Sequence, residues 1–264
     1  MHLGKRRTES SMMNLHFGRH GGRPLSRDSL LQWQRSVRGQ RLLTLEEREL
    51  KQVLPDMFGR HILQIGQWDQ DQRLLSSAAM LHCAVLGANS GLGAQALIDY
   101  EQLPIMSKTV DAVILPHTLE FVRSPHTLLR EASRILTDRG WLVILGFNPW
   151  SLWGLRERLG LRHRAFPAGA RYYGVGRLCD WLALLDLETT AVSRFGSGFP
   201  WSPLRSLGDP WSLGTLAAPL LSNYLLVAKK RVIPINRIGL AQRAPVRRLL
   251  GRPLSVSGAR VEHP

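Results

Sequence analysis

A histidine with an acid three residues further on, His117 and Glu120, follows the unbroken apolar run Ala112-Val113-Ile114-Leu115-Pro116. Imidazole titrates near pH 6.5, so a histidine at the end of a buried strand can take a proton from an oxygen or nitrogen nucleophile, and Glu120 could orient it. The plainer role is a ring bonded to a backbone carbonyl or lining a pocket. Asp99, just ahead of Leu103-Pro104, is a carboxylate at a strand end, suited to an amine donor or simply to solvent. Gly66 closes the run His61-Ile62-Leu63-Gln64-Ile65 and lets the backbone approach a ligand, or makes a plain turn. Trp150, Trp153, Trp201 and Trp211 are interleaved with Arg156, Arg158, Arg162, Arg164 and Arg205. Aromatic and arginine together can stack nucleobases, sit at a membrane interface or close over an apolar acceptor; they also build satellite cores under long loops.

The elements that must position these groups are legible as periodicities. Ala112 to Pro116 reads as a buried strand, Pro125 to Leu136 as a helix, and Trp141 to Gly146 as a second strand after a turn at Arg139-Gly140. The helix carries Leu128, Leu129, Ala132, Ile135 and Leu136 on one face. Both strands are near-continuous apolar runs, as in a parallel sheet covered on both sides. Upstream, Thr44 reads as the cap of a helix to Leu54, ended by Pro55. His61 to Gly66 is a first strand, Asp69 to Met80 a crossover helix, Leu81 to Leu86 a second strand and Ala94 to Ile98 a third. Downstream, Tyr172 to Leu185 is helical, and Leu187 to Arg194 and Tyr224 to Lys229 are strands joined by the long connection Phe195 to Leu221. Periodicity alone gives an open α/β sheet.

The order of these pieces, Asp99-Tyr100-Glu101-Gln102-Leu103-Pro104, then Val110-Asp111 ahead of the strand, then the helix and the strand to Gly146, resembles the second half of class I S-adenosylmethionine (SAM)-dependent methyltransferases, and in particular the type-11 family. The likeness runs from His61 to Glu188 and is dense from Asp99 to Asn148. It implies a Rossmann-like seven-stranded α/β sheet with helices on both faces. It also implies SAM as cofactor, lying across Gly66, Gln67, Asn89, Asp99, Tyr100, Leu115 and Pro116, with Asp99 accepting from the adenine amino group and His117 as the catalytic candidate. The methyl acceptor, unidentified, would approach from the Trp150-Trp153 side. Two motifs depart from the family pattern. Gln64 stands where an acid is usual and Trp68 where a second glycine is usual; Asn89 replaces the acid that binds the ribose hydroxyls. These departures support an alternative, a methyltransferase fold turned binding or scaffold module. A third reading comes from Val85 to Gly93, which imitates the Gly-rich turn of short-chain dehydrogenases. Those enzymes need Tyr-x-x-x-Lys, whereas Tyr172, Tyr173 and Tyr224 are followed four residues on by Gly176, Arg177 and Ala228.

Composition bounds the rest. The chain has 264 residues and a formal charge of +15, room for one core. It divides into a basic segment 1–40 expected to be disordered, a methyltransferase-like domain 41–233 and a basic tail 234–264. From His61 to Val122 the only basic residues besides histidine are Arg73 and Lys108, so the positive surplus lies outside. It is either solvated surface or an attraction for nucleic acid or an anionic membrane. No run of apolar residues is long enough to span a bilayer, and the basic amino terminus lacks the apolar stretch of a secretory signal. Cys83 and Cys179 have no metal-ligand spacing with histidine, so no metal is expected; two scattered thiols fit a reducing cytoplasm.

Overall fold

The computed structural model of the chain describes residues 33–69, 71–88, 93–151, 154–155, 170–196, 205–206 and 221–231. They fall in one unit, Met1–Val232, and the remaining unit, Ile233–Pro264, lies outside the described residues. The apolar runs assemble into one sheet. Strands β1 (His61–Ile65), β2 (His82–Gly87), β3 (Ala96–Leu97), β4 (Val110–Pro116) and β5 (Leu136–Phe147) pair in parallel. After them come β6 (Leu187–Gly196), β7 (Arg205–Ser206) and β8 (Asn223–Lys230), with β8 antiparallel to both β5 and β6. The order across the sheet is β3-β2-β1-β4-β5-β8-β6-β7. Without β7, a two-residue pair on the outer edge, this is the seven-stranded arrangement that the resemblance implies.

Strand alternation sorts the core into two layers. Ile65, Val113, Leu115, Leu142, Ile144 and Leu226 share one cluster with Leu128, Leu129 and Ala132 of α2 (Pro125–Ile135) and Leu178 and Leu182 of α3 (Val175–Ala183). On the other face Ile62, Ala112, Ile114, Val143, Leu145 and Val227 pack with Leu42, Leu43 and Leu50 of α1 (Val37–Val53). Helices therefore cover both faces.

Three departures from the sequence reading bear on the site. First, α1 begins at Val37 instead of Thr44. Ser36, in extended backbone, accepts from Gly39 N at 3.2 Å and caps the helix, while Thr44 donates to Gln40 O from within it. The end of the segment expected to be disordered, up to residue 40, is thus helical. Second, Asp69 to Met80 forms no crossover helix among the described residues, only a 3-10 turn at Arg73–Leu75. The stretch Asp69-Gln70-Asp71-Gln72-Arg73 offers no apolar stripe to bury, and α1 packs against the turn and covers this part of the sheet instead. Third, the third strand shrinks to Ala96–Leu97, and α2 runs straight into β5 with a register shift between Val110 and Ala112, where a turn at Arg139-Gly140 is expected.

Candidate functional site

Open α/β sheets bind ligands outside the carboxyl ends of their strands, where the strand order reverses. Here the reversal lies between β1 and β4, and Gly66 and His117 follow those two strands. Gly66 has φ +113°, a conformation that favours glycine, and a Cβ there would collide with Thr118 Oγ1. Thr118 in turn donates to Ile65 O at 2.6 Å, stitching β4 to β1. Leu115 and Pro116 are buried in the strand just before. Structure thus brings Gly66, Leu115, Pro116 and His117 together.

The amide at Gln64 bonds a carboxylate further along the loop. Gln64, fully buried, donates through Nε2 to Gly66 O and to Asp69 Oδ1, both at 3.1 Å. Asp69 is itself buried and accepts from Leu74 N. Trp68 packs under α1 against Trp33 and His117, at 5.7 and 4.2 Å between ring centroids. Its indole donates to Glu46 Oε2 at 2.6 Å, and its carbonyl accepts from Gln34 Nε2. Gln67 lies over Gly87 at the end of β2, where a Cβ would strike its side chain.

His117 is fully buried and has φ +51°. Its Nε2 bonds Glu46 Oε1 at 2.6 Å, and its Nδ1 lies 3.6 Å from Glu120 Oε1, too far for a hydrogen bond. Glu120 Oε1 accepts from Phe147 N at 2.8 Å. The imidazole is flanked by Trp68 and by Phe147, the latter at 4.0 Å between centroids. Burial alone would lower the pKa of His117. The charge of Glu46, its hydrogen bond to the ring and the nearby charge of Glu120 outweigh it and push the value up to about 9. At neutral pH the ring is an imidazolium, so in this arrangement it has no room for a further proton. His117 Nδ1 and Glu120 Oε2 have no hydrogen-bond partner among the described residues.

The other candidates sit one and two strands away. Tyr100 OH accepts from Ala88 N at 3.3 Å, tying the turn after β3 to the end of β2. Asp99 is exposed, and its Oδ1 accepts from Glu101 N at 2.9 Å. Asn89 lies outside the described residues, as does Trp153; Trp150 is exposed, beside Gly174. The residue that sequence reasoning misses is Glu46. Its signal is the spacing Leu42, Leu43, Glu46, Glu49, Leu50, which places two acids on the buried stripe of α1.

The methyltransferase domain family, type 11, matches residues 74–144. The uncharacterized protein YafS of Escherichia coli (strain K12) is 38% identical over 194 residues, 72% of this chain and 76% of its own length. Among solved structures, a SAM-dependent methyltransferase of Thermotoga maritima, described as a possible histamine N-methyltransferase, aligns with a TM-score of 0.59 at 19% identity over 77% of this chain and 95% of its own. A SAM-dependent methyltransferase from Archaeoglobus fulgidus aligns with a TM-score of 0.57 at 15% identity over 76% of this chain and 99% of its own. At these identities the structural likeness speaks for the fold.

Proposed function

This chain belongs to the type-11 family of class I SAM-dependent methyltransferases, and from that premise we propose that SAM lies along the carboxyl ends of β1 to β4, across Gly66, Gln67, Asn89, Asp99, Tyr100, Leu115 and Pro116. The observation that carries this placement is Gly66, held at φ +113° with Thr118 against it at the reversal point of the sheet. The residues present suit the cofactor. Gly66 puts no side chain of its own at the reversal point, and Asp99 offers an exposed carboxylate to an exocyclic amine.

When bound, SAM supplies a methyl group activated by its sulfonium. What this chain adds is alignment and exclusion of water, which can be most of what such a transfer needs. We read His117 as a charged pin that fixes α1 to the sheet, in place of the free general base expected from its position; its bond to Glu46 and its raised pKa support this. The acceptor approaches over exposed Trp150. The two cysteines are free thiols, which supports a reducing cytoplasm, and no helix among the described residues is long and apolar enough to cross a membrane. Any contact with nucleic acid or an anionic membrane surface is assigned to the basic residues outside 61–122, supported by the net charge of +15.

The test is calorimetric titration of SAM into the full chain and into Asp99→Ala. The substitution should weaken binding by about 1.5–3 kcal/mol, the range for a hydrogen bond to a charged group. Unchanged affinity would remove Asp99 from the site.

A further inference from the structure

The segment that carries Asp99 leaves the sheet at once. β3 ends at Leu97, and Pro104 has no N–H to give, so the backbone groups beyond need partners other than a strand. At its start the segment is tied to β2: Ile98 N donates to Gly87 O at 2.8 Å, and Ala88 N donates to Tyr100 OH at 3.3 Å. Asp99 to Gln102 then close into a turn. Gln102 N donates to Asp99 O at 3.3 Å and Glu101 N to Asp99 Oδ1 at 2.9 Å. Asp99, Glu101 and Gln102 are exposed, and exposed hydrogen bonds of this kind hold a turn weakly by themselves.

The far end of the turn is gripped from α2. Glu131 Oε2 accepts from Leu103 N at 3.0 Å, and Arg134 Nη2 donates to Leu103 O at 2.9 Å, so one ion pair takes both backbone groups of Leu103. Arg134 Nη1 reaches on to Ile105 O at 2.9 Å and to Ser107 Oγ at 3.0 Å. Nε and Nη2 of the same guanidinium hold the two oxygens of Glu131, each at 2.8 Å. The planar fork thus uses all three nitrogens, which the single point charge of a lysine could not reproduce. Both side chains lie at the rim of α2, where an ion pair adds little to global stability. Their contacts run instead to the segment that carries Asp99.

We propose that Arg134 and Glu131 are positioning residues for cofactor recognition: by clamping Leu103 they fix the turn Asp99 to Gln102, and so the place at which the Asp99 carboxylate meets the adenine amino group. The inference rests on the SAM-binding reading given above, in which Asp99 accepts from that amine. The clamp itself touches no ligand. It acts through Gln102, which stands between Leu103 and the bridge to Asp99. A hydrogen bond weakens steeply when its acceptor is misplaced, so a recognition group on an exposed turn depends on what holds the turn. Arginine at position 134 matters here for its fork as well as its charge.

The experiment is a double-mutant cycle, read by calorimetric titration of SAM into the full chain, Arg134→Lys, Asp99→Ala and the double variant. Arg134→Lys keeps the charge and removes the fork. Expected are a roughly tenfold weaker affinity for Arg134→Lys and a double variant that binds about as weakly as Asp99→Ala alone. A merely structural role would lower affinity by the same factor with or without the Asp99 carboxylate. Arg134→Lys binding like the unaltered chain, or two losses that multiply in full, overturns the clamp and leaves the cofactor reading standing. If the unaltered chain does not bind SAM, the cofactor reading falls and the clamp with it. If Asp99→Ala alone binds unchanged, Asp99 leaves the site and the clamp has nothing to position. Should Arg134→Lys fail to fold by circular dichroism, Glu131→Gln, which keeps an oxygen for Leu103 N, takes its place in the cycle with the same outcomes.

Discussion

Around α2 the packing is almost wholly apolar: Leu128, Leu129, Ala132 and Ile135 are each fully buried in the cluster that also holds Val113, Leu115, Leu142 and Ile144. Around α1 the inner face carries Glu46 and Glu49 beside Leu42, Leu43 and Leu50. Glu46 bonds His117 and Trp68, and Glu49 accepts from Ser193 Oγ at 2.6 Å. Arg134 and Glu131, the ion pair of α2, sit at its rim, 34% and 18% exposed, where such pairs contribute about 0–1 kcal/mol. One side of the molecule is thus held by burial that is indifferent to pH. The other adds to its apolar packing a buried charged contact, which a proton can alter. A face meant only for stability would gain from apolar residues at Glu46 and His117.

The sharpest way to break this comparison is to remove one partner. Glu46→Ala leaves an imidazolium and an indole N–H buried without an acceptor and should cost about 3–5 kcal/mol in urea denaturation at pH 7. Leu129→Ala, its apolar counterpart, should cost about 2–5 kcal/mol. The two differ in pH dependence: the loss from Glu46→Ala should shrink at pH 10, and that from Leu129→Ala should not. Equal behaviour at both pH values would mean that the charge on His117 does not hold α1.

Next in size is the pH profile of the unaltered chain. The folded pKa of His117 lies above its unfolded value of about 6.5, so its contribution is complete below pH 6.5 and is lost as pH rises through about 9. The ion pair of α2 has the opposite sign. Arg134, through its hydrogen bond, holds Glu131 below its ordinary range, so that smaller contribution is present above the usual carboxylate pKa and is lost as pH falls. Stability should therefore decline steeply on the alkaline side, by on the order of 3 kcal/mol. A flat midpoint between pH 7 and 10 would show that the imidazole is neutral in the fold.

The same division explains what could be read from sequence. The helix at Pro125–Ile135 and the strands on either side announce themselves because apolar spacing and burial coincide there. On the other face they do not. Glu46 looks like a first-turn acid because the cap at Ser36 lies in a polar stretch, and only the helix register from Ser36 turns Glu46 and Glu49 inward. The partner of His117 is 71 residues earlier in the chain, beyond any local pattern, so a lone histidine at a strand end reads as a base. The loop after β1 looks degenerate because position 64 is an amide, and only the fold shows that this amide bonds a buried carboxylate, Asp69, five residues on. The crossover helix read at Asp69 to Met80 does not form, because the residues from Asp69 to Arg73 carry no face to bury.

The smallest effect concerns whether α1 belongs to the cooperative core. Ser36 supplies a side-chain acceptor at its amino end, bonding Gly39 N at 3.2 Å, so Ser36→Ala should cost about 1 kcal/mol. Because α1 covers the sheet where a crossover helix would otherwise lie, that loss should appear in the global midpoint. Amide hydrogen exchange should then rise together in α1 and at the ends of β1 and β4. If exchange rises only across residues 37–53 with the midpoint unmoved, α1 opens on its own. The charged contacts at Glu46 would then be a latch closing over a sheet that is stable without it.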